Sequence, residues 1–180
     1  MKYSMLLLLF LMTSLTLSGQ AKSFHDLSAI DIDGKEVKME LYKGKKILVV
    51  NVASKCGYTP QYEPLEALYK KYGPDKFVVL AFPANNFRSQ EPGTNEEIKS
   101  FCSSTYHVTF PLMSKISVKG ADMSPVYQWL TQKSLNGVMD APVTWNFQKF
   151  MIDEDGKLVG MLAPDAEPND AKVIQWLEQD

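Results

Sequence analysis

Two cysteines, the only thiols in the chain, set the chemical question. Cys56 stands in "NVASKCGYTPQY", where a run of strand-forming residues stops, and Cys102 lies far along in "FCSSTY". A thiolate placed where a strand ends and a helix begins faces aligned backbone N–H groups and the positive end of the helix dipole, which favour the charged form. Lys55 adds to that field if its side chain turns inward. An ordinary cysteine, with a pKa of about 8.5, is mostly protonated at neutral pH, and a shift of about two units makes it mostly thiolate. Position alone leaves two readings open, a reactive sulfur at Cys56 or a buried, inert one. Residues 56–59 are Cys-Gly-Tyr-Thr, so the C-x-x-C pattern of a disulfide exchanger is absent. A lone thiolate suits a different electrophile, such as the O–O bond of a peroxide.

The elements that must position these sulfurs follow from periodicity. "LSAIDIDGKEVKM" alternates about Asp33-Gly34 and predicts a hairpin. "KKILVVNVA" is nearly continuous in apolar and β-branched residues, as a central strand buried on both faces would be. After Cys56, Leu65, Leu68, Tyr69 and Tyr72 recur at helical spacing, with Pro60 and Pro64 bracketing the helix start and Gly73 ending it. "KFVVLAF" is a second buried strand, followed by the polar loop "PANNFRSQEPG". "TNEEIKSFCSSTY" reads as a helix capped by Thr94 or Asn95, and "SPVYQWLTQ" as a shorter one. A hairpin turning at Asp155-Gly156 and a closing helix over "NDAKVIQWLEQ" complete the order. Strand–helix–strand units imply a parallel pair, and the terminal hairpin adds antiparallel strands. The expected fold is therefore α/β, with a central mixed β-sheet flanked by helices and an N-terminal β-hairpin. The thioredoxin-like fold leads that class, and open α/β sheets place their chemistry at the carboxyl ends of strands.

Size and charge bound the rest. The chain has 180 residues, with 19 Lys and Arg against 21 Asp and Glu. That favours one domain and carries no basic stripe of the kind a nucleic acid requires. Lys2 and the apolar run Met5 to Met12 are expected to form a secretory signal over residues 1–21, leaving a domain at 22–180. The run falls short of the ~20 residues that span a bilayer, so no stable membrane span is expected. An exported protein, periplasmic or secreted, follows. In such a compartment two cysteines are most simply a structural disulfide. His25 and His107 have no metal-ligand spacing with the cysteines, so no metal site is expected.

Four segments in order, "NVASKCGYTPQY", "FPANNFRSQEPG", "FCSSTYHVTFP" and "WNFQKF", resemble the glutathione peroxidase family, and the likeness runs from about Leu27 to the last helix. The resemblance implies a thioredoxin-like fold and reduction of hydrogen peroxide and organic or lipid hydroperoxides, with no cofactor beyond a thiol co-substrate. The family's catalytic cysteine (or selenocysteine), glutamine, tryptophan and asparagine fall on Cys56, Gln90, Trp145 and Asn146. In this assignment the thiolate attacks one peroxide oxygen, and three neutral N–H donors point at the sulfur and the departing oxygen. Without the resemblance, Trp145 reads as core, Gln90 as loop surface and Asn146 as a turn residue.

Cys102 shares a helix face with Ile98 and Phe101 and by spacing alone is a buried cysteine. In the family's cysteine-only members a thiol at this position resolves the Cys56 sulfenic acid, with a thioredoxin-like protein, rather than glutathione, as the usual donor. The short stretch between Trp129 and Trp145 resembles the monomeric, short-loop branch. Three residues depart from the family's frequent pattern: Ala84 for a cysteine, Asn86 for a glutamine and Arg88 for a glycine. Should that glycine have positive φ, Arg88 would strain the turn and displace Gln90; the alternatives are a solvated loop arginine, which is favoured, or one that steers an anionic substrate or meets the reductant. Two other functions stay open, a peroxide sensor that passes oxidation to a partner and a binding domain stapled by its cysteines.

Overall fold

The structure is a computed structural model describing residues 23–179, so the expected secretory segment lies outside the described residues. Strands β1 (Ser28–Ile30) and β2 (Glu36–Lys38) pair antiparallel around the expected turn. There the Asp31 carboxylate accepts the N–H groups of Asp33 and Lys35, and Gly34 takes φ +84°. The main sheet has four strands in the order β4-β3-β5-β6. β3 (Lys46–Val52) and β4 (Phe77–Pro83) run parallel, joined by helix α1 (Tyr62–Tyr72). β5 (Lys149–Ile152) pairs antiparallel with β3, and β6 (Leu158–Leu162) with β5. The remaining helices are α2 (Asn95–Tyr106), α3 (Pro125–Thr131), α4 (Lys133–Asn136) and α5 (Ala171–Glu178).

Every residue of β3 and β4 is buried, because the sheet is covered on both faces. Alternation sorts the side chains. Ile47 and Val49 pack with Val78, Leu80, Phe150 and the α3 residues Tyr127 and Leu130. Leu48, Val50 and Val52 pack on the other face with Val79 and with Leu65 and Leu68 of α1, Ile98 and Cys102 of α2, and Val173 of α5. Cys56 belongs to this second cluster, so both sulfurs lie on one side of the sheet.

Helix α2 is capped by Thr94 rather than Asn95. The Thr94 hydroxyl accepts the Glu97 N–H and the Glu97 carboxylate accepts the Thr94 N–H, a reciprocal capping box. Asn95 instead ties the helix start to the neighbouring loop, donating to Ser114 Oγ and accepting the Lys115 N–H. Helix α4 and the 3₁₀ turns at Phe24–Asp26, Met39–Tyr42 and Thr59–Gln61 were not expected, since three or four residues give periodicity no room to show. Thr94→Ala should cost about 1 kcal/mol. Thermal denaturation should then show a Tm lower by about 2–4 °C.

Candidate active site

Cys56 is buried in a closed turn at the carboxyl end of β3. The Thr59 hydroxyl closes it by accepting the Cys56 N–H at 3.0 Å and donating to the Ala53 carbonyl at 2.8 Å. The helix-entrance expectation needs correction here. A 3₁₀ turn over Thr59–Gln61 separates the sulfur from α1, which begins at Tyr62. One N–H reaches the sulfur, that of Tyr58, at 3.4 Å. Pro60 explains the displacement, since it lacks an N–H and sits where the tighter 3₁₀ turn asks for none. Lys55 is exposed and lines a pocket that it shares with Ser54 and Glu91.

Three segments converge beside this turn. The Lys55 N–H donates to the Gln90 carbonyl at 3.0 Å, joining the turn to the loop after β4. The Gln90 side chain in turn accepts from Asn146 Nδ2 at 2.9 Å, joining that loop to the segment before β5. Asn146 is fully buried, which its turn-residue reading did not anticipate. One of its two Nδ2 N–H groups donates to Gln90 Oε1, which orients Gln90 and leaves the Gln90 Nε2 donors out of that bond. Trp145 is half-buried and packs against Phe87 with ring centres 5.3 Å apart.

The Arg88 departure has a definite structure. Arg88 and Ser89 both take left-handed backbone, φ +51° and +52°, so the turn that suits glycine is kept by two ordinary residues. Gln90 is held at two points, its side-chain oxygen by Asn146 and its backbone carbonyl by the Lys55 N–H. The Arg88 guanidinium lies 5.5 Å from the centre of the Trp145 ring, a cation–π contact at the mouth of the site. Asn86 bridges the loop to the segment between α2 and α3, donating to Ser117 Oγ and accepting the Val118 N–H. Ala84 is buried.

Cys102 is completely buried on α2, and both cysteines are free thiols. Burial pushes the Cys102 thiol up to about 11, with the Glu91 carboxylate adding to the rise. The Tyr62 hydroxyl stands beside it and partly offsets this, at a geometry too loose for a regular hydrogen bond. Cys102 as placed is a protonated, sheltered sulfur.

The glutathione peroxidase family model matches residues 24–131, more than half of the chain. The chain belongs to the glutathione peroxidase family. It is 45% identical over 148 residues to a glutathione peroxidase of Lactococcus lactis, covering 82% of this chain and 94% of that protein. It is 46% identical over 147 residues to glutathione peroxidase-like peroxiredoxin 2 of Saccharomyces cerevisiae, covering 82% and 91%. The crystal structure of Trgpx in apo form superposes with a TM-score of 0.68 at 42% identity, covering 88% of this chain and 97% of that one. A thioredoxin-family thiol:disulfide interchange protein from Chlorobium tepidum shares the fold at 18% identity and a TM-score of 0.56, with 88% and 94% covered. The protein is thus a thiol-type peroxidase of this family on a thioredoxin-like α/β fold.

Three positioning residues escaped the sequence reading, Thr59 described above and two more. Asn51 donates from Nδ2 to the Trp145 carbonyl at 3.0 Å, and its own carbonyl accepts the Phe147 N–H at 2.6 Å. Its signal was present: an asparagine inside an otherwise apolar run needs a partner. Gln148, also fully buried, accepts from the Thr144 N–H and hydroxyl and fixes the approach to Trp145. Neither Thr59 nor Gln148 had a signal strong enough to single it out.

The folded Cys102 thiol holds its proton to higher pH than the unfolded one, so folding binds an extra proton between roughly pH 9 and 11. Its stability contribution is complete below that window and is lost as pH rises through it. Urea denaturation at pH 8 and pH 10.5 should show the wild type losing about 2 kcal/mol more than Cys102→Ser over that span.

Proposed function

We propose that the protein reduces hydrogen peroxide and organic or lipid hydroperoxides through Cys56, with Cys102 as the resolving thiol and a thioredoxin-like protein, rather than glutathione, as preferred donor. The observation that carries this reading is the linked set around the sulfur. The Cys56 turn is bonded to the Gln90 loop, and Gln90 to Asn146, beside the Trp145 indole. The donors are uncharged, with Asn146 buried and Gln90 and Trp145 partly so, which strengthens each dipole acting on a developing oxyanion.

The Cys56 thiolate attacks one peroxide oxygen. An S–O bond forms, the O–O bond breaks, and the leaving oxygen departs as water or alcohol after taking a proton. In this reading Gln90 Nε2 and the Trp145 indole N–H are the donors to that oxygen, while Asn146 holds Gln90 through its Oε1. Cys56 is left as a sulfenic acid. The Cys102 thiol then displaces hydroxide from that sulfur, forming the Cys56–Cys102 disulfide and releasing water, and a donor dithiol reduces the pair. Burial of Cys102 on α2 means that the helix must open locally to deliver it.

The same reading places the protein outside the cytoplasm as a monomer. Its support is the apolar run Met5 to Met12 behind Lys2, and the short stretch between Trp129 and Trp145. Residues 1–21 fused to alkaline phosphatase should give phosphatase activity in a bacterial host, and an inactive fusion would return the protein to the cytoplasm.

Steady-state peroxide consumption tests the mechanism. Cys56→Ser should abolish turnover. Cys102→Ser should complete one rapid turnover and then stall with a thioredoxin-type donor; a steady-state rate equal to that of the parent would remove Cys102 from the cycle.

A further inference from the structure

Glu91 is a carboxylate with 1% of its surface exposed, immediately after Gln90, and the chemistry above gives it no task. An ionisable group is costly to bury unless it is held by partners. Its carboxylate accepts the Ser54 hydroxyl at 3.1 Å, two residues before Cys56. The Lys55 N–H meanwhile donates to the Gln90 carbonyl, so two consecutive residues of the cysteine turn are clamped by two consecutive residues of the Gln90 loop. The Glu91 backbone is fixed as well, its N–H donating to Asn85 Oδ1 at 2.9 Å and its carbonyl accepting from Lys115 Nζ at 3.3 Å. Lys115 is bonded through its N–H to Asn95, the first residue of α2.

A pocket of about 360 Å³ separates the cysteine turn from α2, lined by Ser54, Lys55, Glu91, Glu97, Ile98 and Phe101. Glu91 reaches both sides of it, the turn through Ser54 and the helix start through Lys115. We propose that Glu91 is a positioning residue of the peroxidase site, holding the turn that aims the Cys56 sulfur and tying that turn to the helix that carries Cys102. The inference rests on Cys56 being the peroxide-reactive residue. Burial raises the Glu91 carboxyl above its ordinary range, against the hydrogen bonds from Ser54 and the charges of Lys115 and Lys55. Tyr62 and Cys102 feel its charge from α1 and α2, and Glu97 shares the pocket. As a carboxylate it accepts from Ser54; once protonated it loses charge and part of that capacity.

The test is the single-turnover rate of Cys56 oxidation by hydrogen peroxide, followed by mass spectrometry from pH 4.5 to 8. Ser54→Ala and Glu91→Ala should each slow it roughly ten- to a hundredfold at pH 7, the range that a misplaced reacting group costs. The double variant should be no slower than the worse single one, because both remove the same contact. Glu91→Gln, which still offers an oxygen to Ser54, should recover most of the rate at pH 7 and lose the acid limb that the wild type shows above the ordinary carboxylate range. Variants that react at the wild-type rate, or that slow only in proportion to their unfolded fraction, would overturn the proposal. Should Glu91→Ala fail to fold, Ser54→Ala reads the same contact from the less buried side. Wild-type Cys56 that peroxide leaves unoxidised defeats the peroxidase reading instead, so the two failures are distinct.

Discussion

A strand buried on both faces has nowhere to hide a polar side chain, and Asn51 turns that constraint into the frame of the site. Leu48, Val50 and Val52 face one core cluster, Ile47 and Val49 the other. Asn51 stands among them fully buried. Its amide must find an acceptor inside the protein, and it finds the Trp145 carbonyl. Its own carbonyl takes the Phe147 N–H, so Asn146 is gripped between two bonds to a single residue of β3. The segment that carries the indole and the buried amide is thereby registered against the strand that ends in the Cys56 turn. Gln90 follows from that registration, since Asn146 Nδ2 is the group that holds it.

The two sulfurs receive opposite treatment from one apolar cluster. Cys56 is at the edge of it, in a turn with one N–H directed at the sulfur and an exposed lysine as neighbour. Cys102 is inside it, with the Tyr62 ring at its side and no exposure. The same environment that keeps Cys102 protonated keeps peroxide away from it. If Cys102 resolves the sulfenic acid as proposed, it gains from being the worse nucleophile until then, and α2, capped at Thr94 and packed through Ile98, has to open first.

The sequence made the fold legible because its elements carry strong, separate signals. The uninterrupted run before Cys56, the hairpin turns at Asp33-Gly34 and Asp155-Gly156, and the S/T-x-x-E pattern opening α2 each have one physical reading. The site was legible in a different way. Residue type and place left Cys56 open between a reactive and an inert sulfur, and Gln90, Trp145 and Asn146 read as surface, core and turn; only several motifs taken together assigned all four to a site. What binds them is long-range: Asn146 to Gln90 across 56 positions and Asn51 to Trp145 across 94. Local periodicity contains no trace of such pairs. The helix-entrance argument failed for a local reason, since Pro60 and the Thr59 hydroxyl favour a closed turn before α1 can start.

Lys149 shows how far the tertiary structure can overrule composition. It lies in β5 with no exposed surface, and burial lowers its ammonium to about 8. Its Nζ donates to the carbonyls of Pro164 and Ala166 in the loop beyond β6, and Gln61 Nε2, from the 3₁₀ turn after Cys56, donates to the same Pro164 carbonyl. A cation in a central sheet is expensive on its own. Here it supplies the donors that a tight loop of free carbonyls requires, and that loop then braces the end of the cysteine turn. Five of the buried polar residues, Asn51, Glu91, Asn146, Gln148 and Lys149, lie where segments on either side of the cysteine turn are held to one another. Apolar packing alone could not fix those segments, because it sets proximity without direction, and the chemistry at Cys56 depends on direction.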